Sequence, residues 1–182
     1  MRRAVRDFLA AAGLDLSDPN LRETPERVVE AWIDEVLDGY RTTPEEALGE
    51  TYPAPEGSGA DLVVVSGLRF HSMCPHDLLP VQGVAHVAYI PGERIVGFGR
   101  LGALVDCFAH RLILQEEIAR QVARALVSVL GSPGAACVLD AEHGCMRIKG
   151  GRHVGARAHS EAYEGVLRTD RELRRTLWSR LA

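Results

Sequence analysis

Apolar positions along the first forty residues recur at helical spacing. Residues 2–12 read as a first helix. After Thr24-Pro25, the residues Val28, Val29, Trp32, Ile33, Val36 and Leu37 fall on one helical face, and the pattern stops near Gly39. Thr24 is the expected N-cap and Pro25 the first helical residue. TYPAPEGSGA (51–60) is rich in Pro, Gly and Ser and reads as a loop. Beyond it the period shortens. DLVVVSG (61–67) opens a strand that continues to His71, and VQGVAHVAYI (81–90) is a second strand stopped by Pro91-Gly92. SMCPHDLLP between them is too proline-rich for a regular element, so the pair reads as an antiparallel hairpin with a long, functional connection. Helices are expected over 101–110 and 114–130, the second carrying a stripe of Ile118, Val122, Ala125, Leu126 and Val129. AACVLDA (135–141) and GCMRIKG (144–150) read as two further strands, followed by an extended region around 154–167. Asp170 is placed to cap a last helix to Leu181. The expected class is α+β: a helical region over 1–58, then a ββααββ antiparallel sheet domain over 59–182 with a terminal helix.

Composition fits one globular unit. The chain has 182 residues, 46% hydrophobic and 25% charged, which excludes wholesale disorder. No stretch approaches the ~20 apolar residues of a membrane span. The apolar run at the start is broken by Arg6, Asp7 and Asp15, so it reads as a helix and not a signal peptide, and a cytoplasmic location is expected. The net charge of −4 is uneven: residues 1–60 carry −7 and residues 61–182 carry +3. The positive excess favours an anionic ligand on the second part. It is too weak for nucleic-acid binding, and neither a nucleic-acid nor a membrane partner is expected.

Four cysteines then narrow the chemistry. Cys107 and Cys137 sit in apolar surroundings and read as small buried hydrophobes. Cys74 lies in Cys74-Pro75-His76-Asp77, with His71 just before it, and Cys145 lies in His143-Gly144-Cys145. Both clusters fall at the ends of expected strands. In a reducing compartment, thiols beside histidines point to metal before disulfide. Two thiolates with one His or Asp supply three protein ligands and leave a fourth position for water, as a catalytic zinc site requires. On spacing alone, two unrelated turns or a Cys74–Cys145 disulfide also satisfy the pattern.

The segments ETPERVVEAW, SMCPHDLLPVQGVAHVAYIPGERIVGFGRL, VDCFAHRLILQEEIARQVA and DAEHGCMRIKGGR, in that order, carry a resemblance. From about Thr24 to Arg168 the chain resembles the GTP cyclohydrolase I family. The resemblance implies the tunnelling fold, in which several subunits close an oligomeric barrel. It also implies a homo-oligomer, typically a decamer, with active sites at subunit interfaces. The implied cofactor is Zn2+ and the implied partner a small-molecule guanine nucleotide. Cys74 and Cys145 match the family's cysteine ligands, and Asp77 occupies the position of the third. His76 matches a histidine that lies against substrate. His143 matches the acid/base histidine of the purine ring, a role suited to a group titrating near neutrality. Glu116 matches the carboxylate that accepts from guanine N1–H and the 2-amino group, with Gln115 assisting. Without the resemblance, Glu116 reads as a first-turn carboxylate favoured by the helix dipole, and His143 as a partner of a metal ligand. The implied reaction hydrolyses GTP at C8, opens the imidazole ring, releases formate and rearranges to 7,8-dihydroneopterin triphosphate. That product is of the kind used in tetrahydrofolate and one-carbon metabolism.

The match weakens at two places. The family's third ligand, a histidine, is Asp77 here, which would lower the formal charge of a dithiolate zinc site from zero to −1 and make its water less acidic. His76 or His71 are the alternative donors. On the phosphate side Arg27, Arg100 and Lys149 remain, with Arg152 nearby, while Gly99, Ala103 and Glu30 stand where the family has a serine and two cations. Each lost charge-assisted contact costs about 1.5–3 kcal/mol. The alternatives are therefore a divergent enzyme that takes a less phosphorylated guanine nucleotide or stops at a ring-opened intermediate, and a non-catalytic pterin- or purine-binding oligomer. A structural zinc module would need a fourth protein ligand, and only His71 and His76 lie close enough in sequence.

Overall fold

The computed structural model describes residues 1–58, 61–149 and 155–181. Helix α1 (Arg2–Ala11) is followed by α2 (Thr24–Ala31), a π-turn (Trp32–Val36), a 3-10 turn (Asp38–Arg41) and α3 (Pro44–Leu48). The single helix expected up to Gly39 is thus broken into three pieces. The break brings Gly39 against α4 (Phe98–Ala109): a Cβ at Gly39 would lie 2.7 Å from the Cys107 carbonyl oxygen. Thr24 is the first helical residue and not the cap, which is Glu23; the Thr24 hydroxyl instead donates to the Asn20 carbonyl at 3.4 Å. Helix α3 is begun by a capping box, with Thr43 Oγ1 accepting from Glu46 N–H and the Glu46 carboxylate accepting from Thr43 N–H.

The supposed loop at 51–60 opens with a short strand, β1 (Thr51–Pro53), paired antiparallel with β4 (Arg94–Val96). Arg94 reaches across to the Thr51 carbonyl at 2.6 Å and helps hold this ribbon. The main sheet has four antiparallel strands in the order β2 (Val63–Met73), β3 (Pro80–Tyr89), β5 (Gly134–His143), β6 (Ala158–Gly165). Helices α4 and α5 (Gln115–Leu130) cover one face, giving the expected ββααββ order. Leu104 and Val105 of α4, with Ile118, Val122 and Leu126 of α5, pack on Val87, Cys137 and Leu139 of the sheet. Burying each such side chain contributes about 1.5–3 kcal/mol. Helix α7 (Arg171–Leu181) covers one end of the other face through Leu177, and its first N–H groups donate to Asp170 Oδ1, as expected of that cap.

Residues 144–149 do not form a strand, and residue 150 of the expected strand lies outside the described residues. Gly144–Ile148 is a short helix, α6. The ladder of β5 with β3 ends at Val81↔His143, because β3 itself begins at Pro80. Beyond that rung the backbone has no partner strand among the described residues and satisfies itself in a helical turn. Gly144 also passes against Pro80, whose carbonyl oxygen would lie 2.9 Å from any Cβ there. The β2–β3 connection is a compact turn over 74–79 and not a long loop. Cys74 N–H donates to the Leu79 carbonyl and Leu78 N–H to the Cys74 carbonyl, both at 2.9 Å.

Candidate active site

The strand register decides where the chemistry gathers. Ser72, Val81 and His143 stand opposite one another across β2, β3 and β5. Cys74 and Cys145 each lie two residues beyond that line, so 71 residues of sequence separation become one end of one sheet. The start of β6 and the first turn of α5 reach the same end. Together they enclose a cavity of about 220 Å³ lined by Cys74, His76, Gln115, Glu116, His143 and Cys145, with Ser160 and His159 on the β6 side. Leu78, in the turn carrying Cys74, has φ 52°, a left-handed conformation that costs a non-glycine residue about 1–2 kcal/mol. Strain of this kind gathers at functional turns, and here it accompanies the turn that presents Cys74 and His76.

Gln115 is buried, 7% exposed, and its amide is fully used by the protein. Its Nε2 donates to the Ala158 carbonyl at 3.0 Å and to Ser160 Oγ at 3.1 Å. Because a carbonyl can only accept, the amide orientation is set, and Oε1 faces His143 Nε2 at 2.7 Å. His143 therefore carries its proton on Nε2 when neutral, leaving Nδ1 as the nitrogen open to proton exchange. Burial lowers the His143 pKa from its ordinary value, and the nearby Glu116 carboxylate pulls it back up. Glu116 itself makes no hydrogen bond or ion pair among the described residues, so both its oxygens are available to a ligand.

Six of the residues singled out in the sequence thus share the cavity: Cys74, His76, Gln115, Glu116, His143 and Cys145. Gln115 supports His143, a use its position in sequence did not reveal. Four others lie elsewhere. Asp77 does not line the cavity and pairs with Lys149, Oδ1 to Nζ 2.5 Å. That hydrogen bond raises the Lys149 pKa above its ordinary value, and the charges of Asp77, Cys145 and Cys74 add to the shift. Arg27 pairs with Glu23 at 2.6 Å on the exposed surface of α2. Arg100, exposed in the first turn of α4, lies over Gly49. Arg152 lies outside the described residues. His71 is also absent from the cavity: its Nε2 meets the Glu35 carbonyl at 3.0 Å and its ring packs on His110. Ser160 and His159 went unnoticed because the pairing of β6 with β5, which sets Ser160 opposite Leu139, is not legible without the register.

Among the described residues, no three His, Cys, Asp or Glu side chains are already drawn together as a metal cluster. The donor chemistry nevertheless fits a divalent ion that prefers sulfur and nitrogen. Both thiols are free and half-buried, and imidazoles of His76 and His143 line the same cavity. Among the described residues no helix is long and apolar enough to cross a membrane.

Fold and cavity together define an α+β protein that carries thiols, imidazoles and a carboxylate unpaired among the described residues at one end of its sheet. A family model described as GTP cyclohydrolase I matches residues 1–182. GTP cyclohydrolase 1 of Chromobacterium violaceum is 43% identical over 172 residues, covering 94% of this chain and 82% of that protein. The Ralstonia nicotianae GTP cyclohydrolase 1 is 37% identical over 171 residues, covering 94% and 80%. The Deinococcus radiodurans GTP cyclohydrolase 1 is 39% identical over 166 residues, covering 91% and 76%. Among solved structures, the archaeosine synthase QueF-Like in the apo form overlays with a TM-score of 0.46 at 21% identity, over 57% of this chain and 93% of that one. The chain belongs to the GTP cyclohydrolase I family, whose members are metal-dependent hydrolases.

Proposed function

We propose that this chain is a zinc-dependent hydrolase that opens the imidazole ring of GTP at C8, releases formate and yields 7,8-dihydroneopterin triphosphate. The observation that carries the reading is the convergence of Cys74, Cys145, His143 and an unpaired Glu116 on one cavity. Glu116 holds the base: two carboxylate oxygens accept two parallel N–H donors, which guanine offers along its N1 and 2-amino edge and adenine does not. His143 handles the proton at the imidazole ring through Nδ1, since Gln115 occupies Nε2. Burial favours its neutral form, which can accept a proton and return it as the C–N bond breaks. Zinc held by the two thiolates would supply Lewis acidity that brings the ionisation of water near neutral pH.

On the phosphate side this reading adds a second copy of the chain. Arg27 and Arg100 are exposed and absent from the cavity lining of their own chain, which suits them to meet a triphosphate in a neighbouring subunit's site. Exposed Phe8, Leu78 and Phe98 are apolar surface suited to such contacts. The working unit in this reading is a homo-oligomer of the family type, acting in the cytoplasm. A second reading, preference for fewer phosphates, is favoured by one observation: the Lys149 ammonium is already paired with Asp77. The deciding experiment supplies GTP, GDP, GMP and guanosine to the zinc-loaded protein and measures formate and pterin fluorescence. Turnover of GTP at least equal to the others supports the first reading. Faster turnover of GMP supports the second, and no formate from any of them defeats both.

A further inference from the structure

We propose that His76, and not Asp77, is the third protein donor to the metal in this chain, and that Lys149 holds Asp77 away from it. The inference rests on the metal-dependent reading above. In the turn over 74–79 the two neighbouring side chains diverge: His76 lines the cavity shared by both thiols, whereas Asp77 does not. His76 Nδ1 lies 3.8 Å from Cys74 Sγ. Zinc–sulfur and zinc–nitrogen bonds of about 2.3 and 2.05 Å at a tetrahedral angle separate the two donor atoms by about 3.6 Å. The pair is therefore spaced to share one ion with only a small adjustment.

Asp77 is occupied instead. Its Oδ1 sits 2.5 Å from Lys149 Nζ, and moving it onto a metal would cost that ion pair. Among the described residues the other nearby histidines fit less well. His71 is engaged by the Glu35 carbonyl and His110, His143 is oriented by Gln115 for proton exchange, and His159, also in the cavity lining, faces the Asp140 carboxylate at 3.6 Å. Charge points the same way. Two thiolates and a neutral imidazole balance a dication, and the Asp77–Lys149 pair adds no net charge. A carboxylate ligand would leave the centre at −1 and make its water less acidic. The aspartate at the expected ligand position and the lysine four residues after Cys145 are thus each other's partners.

Cobalt(II) and zinc binding to the intact oligomer tests this without reference to turnover. The unmodified protein, His76→Ala, Asp77→Asn and Cys145→Ala are titrated with cobalt(II), and thiolate charge-transfer and ligand-field bands are recorded. Asp77→Asn is expected to keep the affinity and the bands of the unmodified protein. His76→Ala is expected to weaken binding by about 100-fold or more and to shift the ligand-field bands. Retention of the bands in His76→Ala with their loss in Asp77→Asn overturns the assignment. Should His76→Ala fail to fold, zinc-edge X-ray absorption of Asp77→Asn gives the answer. Two sulfurs with imidazole scattering support the assignment, and sulfur with oxygen alone overturns it. Unchanged bands in Cys145→Ala would instead refute the metal site itself, a failure of the underlying reading that is distinct from a wrong third donor.

Discussion

The cavity end of the sheet and the surface that carries Arg27 and Arg100 are built in opposite ways. At the cavity, position follows from regular structure: strand register sets Ser72, Val81 and His143 in line, and the first turn of α5 lays Gln115 and Glu116 beside them. There Gln115, Ser160 and His143 are matched to one another, down to the tautomer of His143. The cations sit on exposed helical turns and pair, if at all, with near neighbours, as Arg27 does with Glu23. Base recognition and proton transfer can therefore be organised within one chain. The candidate phosphate cations Arg27 and Arg100 lie on exposed surface outside that cavity.

Metal removal gives the largest effect that this comparison predicts. Chelation should abolish formate release while far-UV circular dichroism and oligomer size stay unchanged. The core formed by α4, α5 and the sheet is held by apolar side chains packed on one another, so a metal at the cavity is expected to serve chemistry and not folding. Loss of helical signal on chelation would make the centre structural and remove the contrast between the two regions.

Next in size is Glu116→Ala. Two charge-assisted hydrogen bonds to guanine are lost at about 1.5–3 kcal/mol each, so kcat/KM for GTP should fall by about 10²–10⁴-fold. The thermal midpoint should hardly move, because Glu116 has no hydrogen bond or ion pair to lose among the described residues. A drop in stability matching the drop in activity would show that Glu116 supports the fold and does not hold the base.

Gln115→Leu should behave differently from its neighbour. It leaves the Ala158 carbonyl and the His143 Nε2–H without their partner in a half-buried place, costing about 1–3 kcal/mol of stability. It also frees the His143 ring to rotate, so kcat should fall, by about tenfold, with KM for GTP little changed. The pair of variants separates binding from positioning: one changes kcat/KM alone, the other stability and kcat together. An unchanged midpoint in Gln115→Leu would mean that the amide is not load-sharing with β6.

How much of this was readable from sequence depends on whether a residue's role follows from period or from partners. The stripe of α5 was legible because a buried face imposes its own spacing, and β2, β3 and β5 because short apolar runs between turn residues suit strands. Those strands placed both cysteine clusters at strand ends, and antiparallel pairing brought the ends together. GCMRIKG misled because its alternation of Met146 and Ile148 with Arg147 and Lys149 suits a strand, yet among the described residues no partner strand continues the ladder beyond Pro80. Helix α3 carried a readable signal, Thr43 three residues before Glu46, that the surrounding prolines obscured. The diverging side chains of His76 and Asp77 could not be read at all. Periodicity says nothing about which side of a proline-containing turn each residue faces, and the partner of Asp77 is 72 residues away.

The smallest expected effect tests the other region. Arg27→Ala removes an exposed pair with Glu23 spaced four residues apart, worth no more than about 0.5 kcal/mol to the chain that carries it. Its stability, measured by urea denaturation, should therefore stay within about 0.5 kcal/mol of the unmodified protein. If Arg27 reaches the phosphates bound by another copy, KM for GTP should nevertheless rise by about tenfold, the loss of roughly 1.5 kcal/mol of charge-assisted binding. KM for guanosine, which has no phosphate, should stay the same. An equal rise for both substrates would place Arg27 in the architecture of the interface, because a disturbed interface weakens every ligand alike. No rise for either would leave the phosphate charge to Arg100 and Lys149. Lys149 would then have to leave Asp77 to serve it, and Lys149→Ala should raise KM for GTP and not for guanosine.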